Sequence, residues 1–294
     1  MDIKGAYLNG ILKEKVYMKQ PEGYDDGTGR ICLLIKTLYS LKQAGREWNR
    51  KFDSKMRKHG YMHLQSDLCV YIWHVGKDFA IIAVWVDDLL IFATTIDLQD
   101  KARSDIEHEW EVTDLGEPQK IIGIKITRTP ESITISSSKY IESILHKEGH
   151  DQCSPVSTPL DPNVQLVPNP NGDIRNCSNS FARLLGELQY VANVIRPNIS
   201  YTVNRLASYI ANPSLQHTTT IKCMLQYLAG TQNFGIVYRA DIEYPNFIGY
   251  TDASYANADE KKSILGYVFI ASGRATVTQK TVPLFCHFGK SDLE

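Results

Sequence analysis

No two cysteines in the 294 residues stand at metal-finger or redox spacing. The six that occur (Cys32, Cys69, Cys153, Cys177, Cys223 and Cys286) are scattered, with no Cys-x-x-Cys pair. That excludes a zinc ribbon and points to a reduced, intracellular chain with free thiols. Long apolar runs are missing too. The longest is the eight residues Phe79 to Val86, far short of the ~20 that a membrane helix needs. The start, MDIKGAYLNG, has neither a basic n-region nor an apolar h-region, so it does not read as a secretory signal. No membrane partner is expected, and the compartment expected is cytoplasmic or nuclear. There is no internal repeat, no low-complexity tract and no glycine-rich phosphate loop. A net charge of −1 and a pI near 6.7 carry no signal of a polyanionic partner.

What is present is more telling. Apolar residues make up 43% of the chain, enough for a core in one large domain or two ordinary ones. Charge is also uneven along the chain. From Arg30 to Met62 there are nine Lys and Arg against only Glu47 and Asp53, which makes that segment a candidate polyanion-facing surface, although the helix charges taken alone favour a solvated face. The sharpest feature is IAVWVDDLLIFA, residues 82–93, where Asp87 and Asp88 are the only charges in an apolar run from Phe79 to Ala93. Two adjacent carboxylates in such a run cost several kcal/mol unless something offsets their desolvation.

The pattern predicts a fold of α+β class. Residues 1–20 read as a loop or short helix followed by a strand, and YDDGTGR, 24–30, as a turn cluster. Ile31–Leu34 reads as a strand. A helix is expected from Gln43 to His59, with Ala44, Trp48, Phe52 and Met56 forming one apolar stripe. Cys69–His74 and Phe79–Phe92 read as strands, the second folding back at the acids, and Leu98–Glu111 as an amphipathic helix. Residues 121–126 and 133–136 resemble a hairpin, and Lys139–Lys147 a helix. The proline-rich stretch 153–179 reads as a linker. Three helical patterns follow at 181–195, 198–211 and 217–229, and from Gly235 the pattern turns to strands.

A strand–Asp–Asp–strand hairpin can present carboxylates to hard divalent cations such as Mg²⁺. Two such ions ~4 Å apart can clamp an in-line phosphoryl displacement. A third acid from another strand is then needed. The plain alternative is a polar turn, which Asp favours.

The flanks bear on that choice. AVWVDDLLIFA resembles the Tyr-x-Asp-Asp box of reverse transcriptases, with Trp85 where Tyr is usual. MDIKGAYLNGILKEKVYMKQPEGY, LYSLKQAGREWNRKFD, TDLGEPQKIIGIKITR and SPVSTP resemble, in order, segments of the Ty1/copia class of retrotransposon polymerases. So do LGELQYVANVIRPNISYTVNRLASYIANP, HTTTIKCMLQYLAGT and GYTDASYA, carrying the resemblance from residue 2 to about 271.

The resemblance implies an RNA-directed DNA polymerase from a Pol polyprotein. Its partners would be an RNA template, a DNA primer, dNTPs and other parts of that polyprotein, with virus-like particles added to the compartments. Asp2, Asp87 and Asp88 would be the catalytic acids holding two Mg²⁺ or Mn²⁺ ions. Ile3, Tyr7, Lys42 and Gln43 would face the nucleotide, Tyr7 lying under the incoming sugar; read without the family, Tyr7 is a core aromatic. Trp85, Ile122, Gly123, Arg46 and Arg50 would face primer and template. Asp252 matches the first metal acid of an RNase H domain, but VPLFCHFGKSDLE replaces that domain's acidic continuation, and Asp259, Glu260, Asp292 and Glu294 do not match its positions, so RNase H activity is not expected.

The implied organisation is a palm with a fingers remnant at 1–130, a hairpin and helix at 131–152, the linker at 153–179, a helical thumb or connection at 180–234, and an incomplete RNase H-like α/β end at 235–294. Ser40 stands where the family usually has Gly, and Gly45 where it usually has Pro. Met1 reads as an internal methionine of a longer polyprotein. With Asp2 so near the terminus, this acid is expected to fray and activity to be impaired. The rival readings are a non-catalytic, transposon-derived remnant and, more distantly, a Mg²⁺-dependent phosphohydrolase.

Overall fold

Short strand-forming runs interspersed with two amphipathic helices make up the first part of the chain, and in the computed structural model the strands pair antiparallel throughout. The structure describes residues 1–161, 163–169, 178–239, 248–254, 263–271, 274–277 and 282–284. They form two compact units, Met1–Pro118 and Gln119–Glu294.

The first unit holds β1 (Asp2–Ile3), a 3-10 turn (Ala6–Asn9), β2 (Ile11–Lys19), β3 (Ile31–Lys36), α1 (Ala44–Lys58), β4 (Met62–His63), β5 (Val70–Val75), β6 (Asp78–Trp85), β7 (Asp88–Ala93), α2 (Ile96–Glu109) and β8 (Val112–Thr113). Six strands form a sheet in the order β4-β5-β6-β7-β1-β8, while β2 and β3 make a separate hairpin. The stripe predicted on α1 is the buried one: Ala44, Trp48, Phe52 and Met56 are all inside. Trp48, Phe52 and Met56 join Ala102 and Ile106 of α2 and Tyr71, Ala80, Ile82, Leu89 and Ile3 of the sheet in one core. Phe52 stacks on Trp110 at 4.8 Å between ring centroids. Both helices therefore bury their apolar side on one face of the sheet, and the alternation of strand side chains sends the neighbours of these residues to the other.

Asp2 is paired on both sides, unlike the loose end expected of it. Asp2 lies in β1, between β7 and β8, paired with Asp88 on one side and Thr113 on the other. Ile3 N–H donates to the Asp87 carbonyl at 2.8 Å, Leu89 N–H to the Met1 carbonyl at 2.8 Å, and Lys4 N–H to the Glu111 carbonyl at 2.9 Å. Ile3 itself is 1% exposed. Two flanking strands and a buried neighbour tie down a segment that its position alone would leave loose.

The second unit contains β9 (Lys120–Ile121), β10 (Ile124–Thr129), β11 (Ser132–Ser136), α3 (Ser138–Lys147), α4 (Ser178–Val194), a 3-10 turn (Pro197–Ile199), α5 (Ser200–Ala207), α6 (Leu215–Gly230), β12 (Gly235–Arg239), β13 (Ile248–Ser254), β14 (Ser263–Ala271), β15 (Arg274–Val277) and β16 (Val282–Leu284). Its core joins α3, α4, α5 and α6 through residues such as Ile144, Leu188, Val203 and Met224. The pattern over 198–211 is interrupted: α5 ends at Ala207 and Ile210 is exposed, because the run starts in a 3-10 turn with a different period.

Three other details differ from the sequence reading. The run at 121–126 is broken into β9 and β10 by a two-residue turn, Ile122-Gly123. Strand β12 pairs with β11, so 235–239 completes the hairpin sheet instead of opening the terminal one. The described part of the proline-rich stretch is docked: Leu166 is buried in the helical core and its carbonyl accepts from the Tyr209 hydroxyl at 3.0 Å. Asp259, Glu260, Asp292 and Glu294 lie outside the described residues, as do Cys177 and Cys286; Cys32, Cys69, Cys153 and Cys223 are free thiols. No helix among the described residues is long and apolar enough to cross a membrane.

Candidate active site

The apolar run with two acids folds as expected into a hairpin, but it separates the acids. Trp85 pairs with Asp88, leaving Val86 and Asp87 as the two connecting residues. Asp88 opens β7 directly opposite Asp2 of β1. The backbone bonds flank this pair (Ile3 to Asp87, Leu89 to Met1) instead of joining it. It is therefore a non-hydrogen-bonded pair, the register in which facing side chains come closest. Because Ile3 and Leu89 point into the core, Asp2 and Asp88 share the opposite face, away from α1 and α2. Trp85, across from Asp88, is exposed on that same face.

The turn is strained and braced. Val86 has φ 56°, a left-handed conformation that a β-branched residue rarely adopts. Holding it there costs about 1–3 kcal/mol. The Trp48 indole N–H, from the buried stripe of α1, donates to the Val86 carbonyl at 3.0 Å. Sequence reasoning placed Trp48 in the core but could not see this bond.

Asp87 faces different partners. Its Oδ1 accepts from the Ala6 N–H at 3.2 Å. The Tyr39 hydroxyl lies 3.1 Å from Oδ1 and 3.0 Å from Oδ2. Partial burial first, and then the Asp87 carboxylate, push the Tyr39 phenol up, so the hydroxyl keeps its proton and donates. The Tyr39 ring rests on Tyr7, 5.0 Å between centroids. Tyr7 is half-buried on the 3-10 turn; its carbonyl accepts from the Thr37 hydroxyl, and its own hydroxyl lies near Gly45. Tyr39 is the residue that the sequence reading missed; its place in LYSLKQAG, between segments marked for the site, was the only hint.

The remaining predicted residues are more dispersed. Lys42 is exposed, and Gln43 is half-buried immediately before α1. Arg46 bonds Glu14 at 2.7 Å and Glu47 at 2.9 Å, and Arg50 bonds Glu47 at 2.8 Å. Burial pushes the Glu47 carboxyl up, but the two guanidiniums outweigh it and hold it below the ordinary range. Arg46 and Arg50 are thus paired with acids of the chain itself. In the second unit, Ile122 (φ 48°) and Gly123 (φ 80°) form a left-handed turn, and the Tyr190 hydroxyl of α4 donates to the Ile122 carbonyl at 2.7 Å. Asp252 is exposed on β13, opposite Gly266.

Among the described residues, no three or more His, Cys, Asp or Glu side chains are gathered as a metal-binding group. The donor chemistry still suits a hard divalent ion. All three acids supply carboxylate oxygens, and Asp2 and Asp88 face one another with no ion pair or hydrogen bond to their side chains among the described residues. Such a pair is a cation site in chemical character, with Asp87 beside it but engaged elsewhere.

Comparison with known proteins shows the family. A family model described as reverse transcriptase (RNA-dependent DNA polymerase) matches residues 1–162. The retrovirus-related Pol polyprotein of transposon TNT 1-94 from Nicotiana tabacum is 36% identical, over 94% of this chain and 21% of that one. The Pol polyprotein of transposon RE1 from Arabidopsis thaliana is 32% identical, over 91% and 18%. A Ty5-1 transposon protein of Saccharomyces cerevisiae is 28% identical, over 93% of this chain and 89% of that one. The chain spans about a fifth of the length of the first two relatives. A solved foamy viral protease–reverse transcriptase in complex with dsDNA is 12% identical with a TM-score of 0.43, over 96% of this chain and 54% of that one, a likeness too loose to place residues. The family match covers more than half of the 294 residues, and the curated relatives are Pol polyproteins of Ty1/copia-type transposons; the chain belongs to the reverse transcriptase (RNA-dependent DNA polymerase) family.

Proposed function

We propose that this chain carries the polymerase site of a retrotransposon reverse transcriptase, adding deoxynucleotides to a primer 3′-end on an RNA or DNA template with release of pyrophosphate. The observation that carries the reading is the facing Asp2–Asp88 pair on the side of the sheet away from α1 and α2, beside Asp87 at the turn. Asp2, Asp87 and Asp88 would hold two Mg²⁺ or Mn²⁺ ions. Bound there, the ions would lower the pKa of the primer 3′-OH and steady the triphosphate.

The chain's own residues then orient the substrates. Ile3 and Tyr7 lie beside the incoming nucleotide, Tyr7 under the sugar, where its ring discriminates against a 2′-OH. Lys42 and Gln43 face the nucleotide and the templating base. Trp85 and the Ile122-Gly123 turn contact the primer, where Gly123 allows close backbone approach. Arg46 and Arg50 reach phosphates by exchanging Glu47 for the polyanion, which makes binding salt-sensitive. In this reading the helices of the second unit serve as thumb and connection, and β13–β16 as an RNase H-like remnant with Asp252 as a vestigial acid. The partners are an RNA template, a DNA primer, dNTPs and the rest of a Pol polyprotein, in the cytoplasm, a virus-like particle or the nucleus.

The test is primer extension on an RNA template with Mg²⁺, comparing the chain with Asp87→Asn. Incorporation that the substitution abolishes supports the polymerase. Salt-sensitive template–primer binding without incorporation would replace it with a non-catalytic remnant, and nucleotide hydrolysis without extension with a phosphohydrolase.

A further inference from the structure

Asp87 does not stand free to receive an ion. One tyrosine hydroxyl straddles both of its oxygens, at 3.1 and 3.0 Å, and a backbone N–H takes a further position on Oδ1 at 3.2 Å. The carboxylates of Asp2 and Asp88, in contrast, receive no hydrogen bond among the described residues. What sets Asp87 apart is therefore one backbone N–H, from Ala6, and one side chain able to move, Tyr39. We propose that Tyr39 is a latch on Asp87: its hydroxyl occupies the carboxylate in the resting protein and must swing away before Asp87 can ligate a metal ion. The proposal rests on the reading of Asp2, Asp87 and Asp88 as the metal acids.

The surroundings make a swing feasible and give it a consequence. Tyr39 is 45% exposed, so its ring can turn into solvent without opening a cavity. The next residue, Ser40, holds a left-handed φ of 73°, a strained position directly after the latch. A non-glycine residue kept there makes the loop a candidate two-state element, since strain of about 1–2 kcal/mol is released if the backbone flips. The ring also lies on Tyr7, 5.0 Å away, with the Tyr7 carbonyl tied to the fully buried Thr37 two residues before the latch. When the hydroxyl leaves Asp87, the ring uncovers Tyr7. Metal loading and exposure of the residue assigned to the incoming sugar thus become one movement. Tyr39 is a positioning residue: it acts through Asp87 and Tyr7 rather than on the reacting atoms.

A hydroxyl donating to a carboxylate competes with any ion for the same lone pairs, so its removal strengthens ion binding. At this half-exposed site the gain is about three- to tenfold, the net worth of an ordinary hydrogen bond in water. The experiment titrates Mn²⁺ into the full chain, its Tyr39→Phe variant and its Asp87→Asn variant, reading free Mn²⁺ by electron paramagnetic resonance in the absence of nucleotide. Tyr39→Phe removes only an oxygen from a half-exposed ring, and a matching thermal melt shows that the fold is intact. The latch predicts Mn²⁺ binding that is several-fold tighter in Tyr39→Phe and weakened in Asp87→Asn. If Asp87→Asn weakens binding but Tyr39→Phe binds equally or less tightly, the latch is wrong and the metal assignment stands. If neither the chain nor Tyr39→Phe binds Mn²⁺ in a way that depends on Asp87, the metal assignment falls and the latch falls with it.

Discussion

Two carboxylates facing each other across a non-hydrogen-bonded strand pair repel, and a protein that keeps them gives up stability there. For Asp2 and Asp88 the cost expected of like charges directly opposite is about 0.2–1 kcal/mol. Replacing either by Asn in a metal-free buffer should therefore stabilise the fold by a few tenths of a kcal/mol to about 1 kcal/mol. Urea unfolding in EDTA measures it, and the gain should shrink when millimolar Mg²⁺ is added, because the ion relieves the same repulsion in the parent chain. A loss of stability in EDTA would mean that the acids are structural. How much of this was legible at the residue scale differs among the three acids. IAVWVDDLLIFA announced a hairpin with acids at its end, but adjacent strand residues point to opposite sides, so only Asp88 joins the pair while Asp87 stays at the turn. The anchoring of Asp2 was not readable. Its partners, Asp88 and Thr113, lie far along the chain, and no local pattern in MDIKGAY reports them.

At the scale of elements, three non-glycine residues have positive φ among the described residues: Ser40, Val86 and Ile122. All three fall in segments that the family resemblance marks for nucleotide, catalytic acids or primer. Two share one device: Trp48 N–H donates to the Val86 carbonyl, and Tyr190 O–H to the Ile122 carbonyl. An aromatic donor thus fixes the peptide that follows a strained β-branched residue. Trp48→Phe keeps an aromatic ring in the stripe but removes the donor. It should cost about 1–3 kcal/mol, from the orphaned carbonyl and the lost ring volume. Urea midpoints check this, and an unchanged midpoint would show that the turn holds itself. The helices were legible because their apolar periodicity is local; α1 begins and ends within a residue of the expected span. The braces were not, since neither VD nor IG carries the Asn-Gly signature of a left-handed hairpin turn and Trp48 had a sufficient role as core. In the basic segment, the count of nine Lys and Arg left a polyanion-facing surface and a solvated helix face both open, and it could not report the partners of Arg46 and Arg50. Glu14 and Glu47 already hold Arg46 and Arg50, one of them from a strand distant in sequence.

For the whole molecule, an α+β chain of two compact units belongs to the reverse transcriptase family, and its three candidate acids all lie within the first unit. The family was legible from one sequence because its motifs occur in order along nearly the whole chain. Unit boundaries were less legible: the hairpin of β10 and β11 stays whole within Gln119–Glu294 and recruits β12, a pairing that spans about a hundred residues. What ties the account together is the position of Asp2, held in the sheet by β7 and β8 and facing Asp88. The most direct measurement is primer extension on an RNA template by the full chain and its Asp2→Asn variant, at equal folded concentration and saturating Mg²⁺. The account predicts incorporation by the parent and a loss of at least about a hundredfold in the variant, which removes one charge from the ion-holding set. Incorporation by Asp2→Asn at the parent's rate would contradict it.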